Sequence, residues 1–343
     1  MVSDFEPVRW NPPPAPGLVG DMAVNTRLRD ATRWLVGEAG PEDVAVIPDG
    51  AHAGVYCGTA PGGIWRFGLD GSGPTRVATV AGRPLGIEVI DAETLLVCAA
   101  DRGLVRLGLV SGGQELIVEE VEGQRLTFTN NATIHADGRI FFTDSSARHP
   151  IDRFDDDLVE HAGTGRLCVR YPDGGTEVVL HGLQFANGVT LHPDNGDVLV
   201  AETGSYCIQR VAVDGSDAGA VSVFARNLPG FPDNMSTGPL GVVWVALASP
   251  RRASVDRMAP LPGFVKQVVV RLPQRLKPSA GRHGIILGLD GAGEVVANLQ
   301  DPGGEVIHTT TGVREHDGRL YVGSLVEPAI AVLDLHESDF ATP

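Results

Sequence analysis

The chain has 343 residues, of which 43% are hydrophobic, and its formal net charge at pH 7 is −16. This charge argues against nucleic acid as a partner, because phosphate groups would be repelled. The 44 glycines and 24 prolines are typical of many short strands joined by turns. All-β rings of this length commonly form one domain, so the composition favours a single large β unit.

The four cysteines, Cys57, Cys98, Cys168 and Cys207, lie in separate apolar runs and form no Cys-x-x-Cys motif. We therefore expect buried free thiols rather than a disulfide framework. The first six residues contain neither a basic nor an apolar segment, so no signal peptide is predicted. No apolar run reaches the roughly 18 residues that a membrane span requires. These features predict a cytoplasmic protein without a membrane span.

Six segments share a pattern of a turn, an apolar strand, a second turn and another apolar strand. They begin near Gly40, Gly82, Thr127, Phe185, Phe231 and Val313. Three of the spacings are 42 to 46 residues, a period that is typical of propeller blades. The pattern predicts an all-β, six-bladed β-propeller over residues 25–338, preceded by an N-terminal extension at 1–24. The stretch from Thr26 to Val36 is expected to supply the strand that closes the last blade.

Two longer spacings indicate insertions at about residues 147–164 and 249–282. The second contains eight Arg or Lys and one acid, Asp256, so its formal charge is +7 and the rest of the chain carries −23. Its apolar residues have helical spacing, which predicts a short helical lid in blade five; they are Phe264, Val265, Val268, Val269 and Leu272. The alternative is a surface segment docked on an acidic rim. The first insertion is acidic and is expected to be a solvated loop, and one arrangement has it facing the basic insertion.

Four turns place an oxygen-bearing side chain just before a first strand: Glu42, Asn130, Asn187 and Asp233. Because first strands line the channel of a propeller, these side chains are expected to converge on one axis. Oxygen donors without Cys or His favour Ca²⁺, and another divalent cation is the alternative. Ordinary turn chemistry also favours Asn and Asp at such positions.

Three neighbouring residues extend this prediction. Asn234 is a candidate further ligand of the central ion. Asp43 and Asn131 follow two of the predicted ligands and are candidates for a second, structural ion.

Several motifs carry a family resemblance: Gly-Pro-Glu-Asp at 40–43, Gly-Arg-Pro-Leu-Gly at 82–86, Phe-Thr-Asp-Ser-Ser at 142–146, Phe-Ala-Asn-Gly at 185–188 and Asn-Leu-Pro-Gly-Phe-Pro-Asp-Asn at 227–234. Together they resemble the strictosidine synthase-like proteins, which are similar to the gluconolactonase and paraoxonase groups. The resemblance covers roughly residues 25 to 335 and implies a six-bladed propeller with a central metal ion. It also implies that the metal ligands of the lactonase groups correspond to Glu42, Asn130, Asn187, Asp233 and Asn234.

Two departures from the family pattern bear on the reaction. Thr311 stands where plant strictosidine synthase has its catalytic Glu, which argues against that enzyme's condensation. Leu85 and about Ala100 stand where paraoxonases have a pair of histidines. The metal ligands are the part of the resemblance that remains.

The sequence therefore predicts a Ca²⁺-dependent hydrolase of lactones or esters that acts on a small-molecule substrate. Asp233 is the candidate catalytic residue, and its alternative role is that of a ligand only. Loop positions suggest further pocket residues: Leu85, Asp144, Ser145, His149, Thr310 and Thr311. No nucleotide cofactor is expected, because no glycine-rich phosphate-binding motif is present. The alternatives are a lyase of strictosidine synthase type and a non-catalytic binding propeller with a structural ion.

Overall fold

A computed structural model describes residues 5–272 and 281–340. Its strands form six four-stranded antiparallel sheets, and the innermost strand of each sheet contacts the innermost strand of the next. This chain of contacts returns to its starting point, so the sheets are the blades of a closed ring. The predicted six-bladed β-propeller is confirmed.

The first half of the chain forms three blades. Strand β1 (Thr32–Leu35) comes first and belongs to the last blade. Blade 1 contains β2 (Val44–Ile47), β3 (Gly54–Gly58), β4 (Gly63–Phe67) and β5 (Thr75–Thr79). Blade 2 contains β6 (Pro84–Asp91), β7 (Thr94–Ala99), β8 (Gly103–Gly108) and β9 (Gln114–Val118). After a small hairpin, β10 (Glu120–Val121) and β11 (Gln124–Arg125), blade 3 contains β12 (Thr129–Ile134), β13 (Ile140–Asp144), β14 (Gly165–Arg170) and β15 (Thr176–Leu183).

The second half forms the other three blades. Blade 4 contains β16 (Ala186–Leu191), β17 (Val198–Glu202), β18 (Cys207–Val211) and β19 (Val221–Ala225). Blade 5 contains β20 (Gly230–Thr237), β21 (Val243–Pro250), β22 (His283–Leu289) and β23 (Val295–Pro302). Blade 6 contains β24 (Thr310–His316), β25 (Arg319–Ser324) and β26 (Ala329–Asp334), and β1 is its outermost strand.

The ring is closed by pairing between the two ends of the chain. β1 pairs antiparallel with β26, with Trp34 opposite Ile330. The Trp34 ring also packs against Phe67 of blade 1 and Tyr321 of blade 6, at centroid distances of 5.5 and 5.8 Å. The prediction that the stretch before blade 1 closes the last blade is therefore confirmed.

The hydrophobic core lies between neighbouring blades. One cluster joins Tyr56 and Ile64 of blade 1 to Leu95 and Val97 of blade 2, and all four side chains are fully buried. Because the middle strands are covered on both faces, they are nearly continuous apolar runs rather than alternating ones. The four cysteines are free and buried in these layers, as predicted.

Among the described residues, three α-helices lie outside the blades: α1 (Phe154–Glu160), α2 (Ala253–Met258) and α3 (Gly263–Val270). Helices α2 and α3 confirm the predicted helical insertion in blade five, whose residues 273–280 lie outside the described part of the chain. None of the described helices is long and apolar enough to cross a bilayer. Short 3₁₀ turns occur at Gly20–Met22, Arg27–Asp30, Ile151–Arg153, Thr203–Ser205 and Glu337–Asp339.

The expectation of a solvated acidic loop in blade 3 is wrong, because the insertion contains α1. Asp157 and Glu160 of this helix are buried. Burial raises the pKa of Asp157 to about 6. Glu160 is within 2.6 Å of the His149 ring and 2.9 Å of Arg148, so its charge is balanced inside the protein.

The N-terminal segment fastens α1 to the helices of blade five. The backbone nitrogen of Val8 donates to the Glu160 carbonyl at the end of α1, at 2.8 Å. Two residues later, the Trp10 nitrogen donates to the Ala259 carbonyl just after α2, at 3.2 Å. The Trp10 ring stacks on His161 with a centroid distance of 4.4 Å. The three helices and this segment therefore form one layer over the ring.

Glycine and larger polar residues alternate around the centre of the ring. A Cβ added to Gly188 of blade 4 would lie 2.5 Å from the Asn234 Cα of blade 5. Gly86 meets the backbone of Asn131 in the same way, and Gly312 that of Asp43. Three of the six blades therefore need glycine at this position so that the next blade can approach.

Gly188→Ala should lower the free energy of unfolding by about 1–3 kcal/mol, because backbone atoms of blade 5 have no room to move away. Denaturant unfolding measures the loss. Gly175→Ala is the matched control, since an added Cβ there meets only the Asp173 and Tyr171 side chains of an exposed turn. Equal stabilities of the two variants would contradict this account of the ring centre.

Candidate metal centre

A bulge at the same place in the first strands of blades 2 to 6 positions the central side chains of those blades. In β12, pairing passes from Thr129 opposite Asp144 to Ala132 opposite Phe142, so the first strand carries one extra residue. The same shift occurs in the first strands of blades 2, 4, 5 and 6. The residues without a ladder partner are Leu85 and Gly86, Asn130 and Asn131, Asn187 and Gly188, Asp233 and Asn234, and Thr311 and Gly312. Bulges of this kind re-aim side chains next to active sites.

Hydrogen bonding fixes the orientation of the Asn130 amide. The Ser145 hydroxyl donates its one hydrogen to the Ala186 carbonyl of blade 4, at 2.7 Å. It can therefore only accept from Asn130, whose Nδ2 lies 2.9 Å away. The amide oxygen consequently faces the axis, where it is buried without a hydrogen-bond partner in the described residues.

The Asn187 amide is oriented in the same way in the next blade. The Thr203 hydroxyl donates to the Pro232 carbonyl at 2.6 Å and accepts from Asn187 Nδ2 at 3.1 Å. The Asn187 oxygen is also buried, again with no partner in the part of the chain that the structure describes. Two neighbouring blades thus direct an unpaired amide oxygen toward the axis.

Two carboxylates complete this set. Glu42 is buried, and its Oε2 has no hydrogen-bond partner among the described residues. Asp233 is also buried, and its Oδ1 accepts from the Asn234 backbone nitrogen at 3.0 Å. Burial raises the pKa of Glu42 well above its ordinary value, and the Asp233 carboxylate raises it further. Burial likewise raises the pKa of Asp233 to about 8. A cation between the two groups would offset both effects.

This donor set fits a hard divalent cation. Glu42, Asn130, Asn187 and Asp233 all line one cavity at the axis. Ca²⁺ accepts carboxylate and amide oxygens together and completes its six to eight ligands with water or substrate oxygens. Within residues 5–272 and 281–340, no three His, Cys, Asp or Glu side chains form a metal-binding group. Any central ion would therefore depend on the amides as well as on the two carboxylates.

The other predicted ligands lie deeper. Asn234 is buried beneath the cavity and does not line it, although both polar atoms of its side chain lack partners in the described chain. The Asp43 carboxylate accepts from the backbone of Val44 and Ile87, at 2.9 and 3.2 Å. Asn131 donates to Asp43 at 3.1 Å. These bonds link blades 1, 2 and 3, and the second ion stays a prediction.

The cavity has a volume of about 410 Å³ and is built in layers. Its floor holds the candidate ligands and Leu85. The residues two positions before Leu85, Asn130, Asn187, Asp233 and Thr311 form the wall; they are Arg83, Phe128, Phe185, Phe231 and Thr309. The helices supply the roof through Ile151, Phe154, Leu158, Val159, Val255, Met258, Val269 and Val270. The lining is predominantly apolar.

Of the six residues predicted to form the pocket, only Leu85 lines the cavity. Asp144 is instead paired with Arg166 at 2.6 Å, and His149 with Glu160. Ser145 orients Asn130 as described above. The single Thr310 hydroxyl hydrogen is shared between the carbonyls of Leu247 and Ile285, at 2.9 and 3.0 Å. Thr311 donates to the carbonyl of Glu42 at 2.7 Å. These side chains stabilise the backbone around the cavity and would not contact a ligand bound in it.

The wall residues were missed, although the sequence contains a signal for three of them. A phenylalanine precedes Asn130, Asn187 and Asp233 by two positions in each case. Each Phe lines the cavity beside the ligand that follows it, so the repeated spacing of two residues is the signal. The same spacing applied to Leu85 identifies Arg83.

Comparison with known proteins supports the resemblance. The family model for the SMP-30/gluconolactonase/LRE-like region matches residues 55–280. The chain belongs to this family. A second family model, strictosidine synthase-like, N-terminal, matches residues 20–67.

Curated relatives of this family member match over almost all of its length. The adipocyte plasma membrane-associated protein of Rattus norvegicus is 35% identical, with 98% of this chain and 94% of the relative covered. The human protein of that name is 34% identical over 97% of this chain and 84% of its own length. Strictosidine synthase-like protein 10 of Arabidopsis thaliana is 35% identical over 88% and 87%.

Solved structures share the fold at low identity. A gluconolactonase from Xanthomonas campestris superposes with a TM-score of 0.64 and is 19% identical, covering 96% of this chain and 97% of its own. The calcium-binding protein regucalcin from Agrobacterium tumefaciens gives a TM-score of 0.62 at 16% identity, covering 91% and 94%. At these identities the likeness establishes the propeller fold alone.

The relatives also correct one prediction. The name of the vertebrate relatives places those proteins at a plasma membrane. The prediction of a cytoplasmic protein, which depended on the missing signal sequence and apolar run, is therefore wrong. Neither of those two signals reports on attachment of a protein to a membrane surface.

Thr203→Val should lower the free energy of unfolding by about 2 kcal/mol, because it leaves the Pro232 carbonyl and the Asn187 amide without their hydroxyl partner. Denaturant unfolding in the presence of a chelator isolates this effect from metal binding. Thr203→Ser keeps the hydroxyl and is the matched control. If valine and serine variants are equally stable, the hydroxyl does not orient Asn187.

Proposed function

We propose that this protein hydrolyses lactones or esters with a Ca²⁺ ion held by Glu42, Asn130, Asn187 and Asp233. One observation carries the proposal: three buried oxygens of Glu42, Asn130 and Asn187 face a cavity without hydrogen-bond partners in the described chain. Buried oxygens are rarely left unpaired, and a cation is the partner that suits two carboxylates at once. Membership of a family named for gluconolactonase supports the reaction class.

A bound Ca²⁺ would supply Lewis-acid polarisation of the substrate carbonyl. The residues of the chain hold the ion and the substrate in position. Asn130 and Asn187 are held rigidly by Ser145 and Thr203, so their oxygens need no rearrangement. Arg83 lines the cavity and donates through Nη2 to the Leu325 carbonyl at 3.0 Å. Its Nε is buried and has no partner in the described residues.

Asp233 is the proposed general base. Its Oδ1 accepts from the Asn234 backbone nitrogen, which holds the carboxylate in one orientation and leaves Oδ2 to take a proton from water. The water oxygen then bonds to the carbonyl carbon and the acyl C–O bond breaks. The proton passes from Asp233 to the departing alkoxide, so the carboxylate is restored.

The lyase alternative has less support from the site. Thr311 donates to the Glu42 carbonyl and does not line the cavity, and no carboxylate replaces the missing Glu at that position. A non-catalytic propeller would share the ion and the cavity but would show no turnover. The experiments below distinguish these alternatives.

Chelation should remove hydrolysis of lactones and aryl esters, and returned Ca²⁺ should restore it. Asp233→Asn should lower kcat by about 100-fold or more, since the base is lost. Elemental analysis of each protein measures bound calcium independently of turnover. Asp173→Asn, in an exposed turn, is the matched control. Bound calcium without turnover on any substrate would favour the non-catalytic alternative, and absence of calcium would refute the proposed site.

The apolar walls should favour substrates with a hydrocarbon tail. We expect kcat/KM to be higher for an alkyl-substituted lactone than for a polyhydroxylated one of equal ring size. Leu158→Asn, in the roof, should lower kcat/KM for the alkyl lactone by about tenfold. Leu240→Asn changes an exposed leucine far from the cavity and should have no effect. A preference for the polyhydroxylated lactone would contradict this selectivity.

A further inference from the structure

The outer surface of helix α3 carries exposed apolar side chains. Phe264 is 69% exposed and Val268 is 59% exposed, and a spacing of four places them on one face of the helix. Leu261, just before the helix, is also exposed. Val8 is exposed as well, and its carbonyl accepts from Lys266 at 2.6 Å, which brings the N-terminal segment beside α3. A contiguous apolar patch of this kind marks an interaction site.

The fold itself does not require these outer side chains. The opposite side of α3 does the packing: Lys266 is buried, and Val269 and Val270 line the cavity. The helix is therefore a single layer with the substrate cavity on one side and its exposed apolar residues on the other. The outer side chains of Phe264 and Val268 are left mostly uncovered.

The charge around this patch is positive. Arg257 and Arg271 are exposed, and neither forms an ion pair in the part of the chain that the structure describes. The one acid of the insertion, Asp256, is already paired with Arg251 at 3.0 Å. The described residues of the insertion contain six Arg or Lys and one acid, so this part carries a formal charge of +5, whereas the whole chain carries −16. An apolar patch with a basic border is complementary to an anionic lipid surface.

We propose that Val8, Leu261, Phe264 and Val268, with Arg257 and Arg271 beside them, form a lipid-docking face that lies on an anionic phospholipid bilayer. The apolar side chains enter the boundary between headgroups and acyl chains, and the arginines bind lipid phosphates. Docking in this orientation places the roof of the cavity against the membrane. The inference concerns binding alone and does not depend on the proposed hydrolysis.

The test is co-flotation of the full chain with vesicles of phosphatidylcholine alone or mixed with phosphatidylserine. Wild type should bind the mixed vesicles, and added salt should weaken binding. Phe264→Ser with Val268→Ser should weaken it by about tenfold. Arg257→Glu with Arg271→Glu should weaken it at least as much. All of these positions are exposed, so thermal unfolding should be unchanged.

The matched control is Val110→Ser with Leu240→Ser. These residues are similarly exposed, but they lie in turns at the opposite end of the blades. Their double variant should bind vesicles as wild type does. Equal loss in the control and the α3 variant, or no binding to any vesicle, would overturn the proposal. So would a wild-type dimer that Phe264→Ser with Val268→Ser converts to monomers, because the face would then join two copies of the chain.

Discussion

The site depends on one backbone constraint, the extra residue in the first strand of blades 2 to 6. A regular strand would pair every residue with its neighbour and would turn alternate side chains into the layers between blades. The bulge releases two residues at the axis, so polar side chains reach a buried centre that apolar packing would otherwise fill. Asp233 reaches the axis through such a bulge and lies there near Glu42, which precedes the first strand of blade 1; a cation would stabilise the two buried carboxylates.

Hydroxyl groups make the released backbone rigid. Ser145, Thr203 and Thr311 each donate to a carbonyl of the neighbouring blade near a bulge. Two of these hydroxyls also orient the amides of Asn130 and Asn187. The groups that hold the blades together thus also fix the direction of the candidate ligands. Binding an ion would require little reorganisation, which favours both affinity and catalysis.

Local features of the sequence were sufficient to predict the six-bladed ring. They were also sufficient to locate the turns that carry Glu42, Asn130, Asn187 and Asp233. Both depend on periodic patterns that are read along the chain. The pocket was predicted poorly, because Thr310 and Thr311 find their partners on other blades, and such pairings leave no local signal. Helix α1 was missed because its acids favour a solvated loop, whereas Glu160 is buried and paired with Arg148 and His149 from the loop before the helix. The phenylalanine two residues before each of Asn130, Asn187 and Asp233 is a repeated pattern that was available in the sequence.

Two kinds of segment form the cavity. Its floor and wall come from the repeated strands, whereas its roof comes from two insertions that the N-terminal segment joins. An insertion can change in length or composition without altering the register of any blade. Related chains can therefore diverge in the compounds they admit while inheriting an unchanged reaction centre. Fold and ligand positions would then be shared among family members whose substrates have little in common.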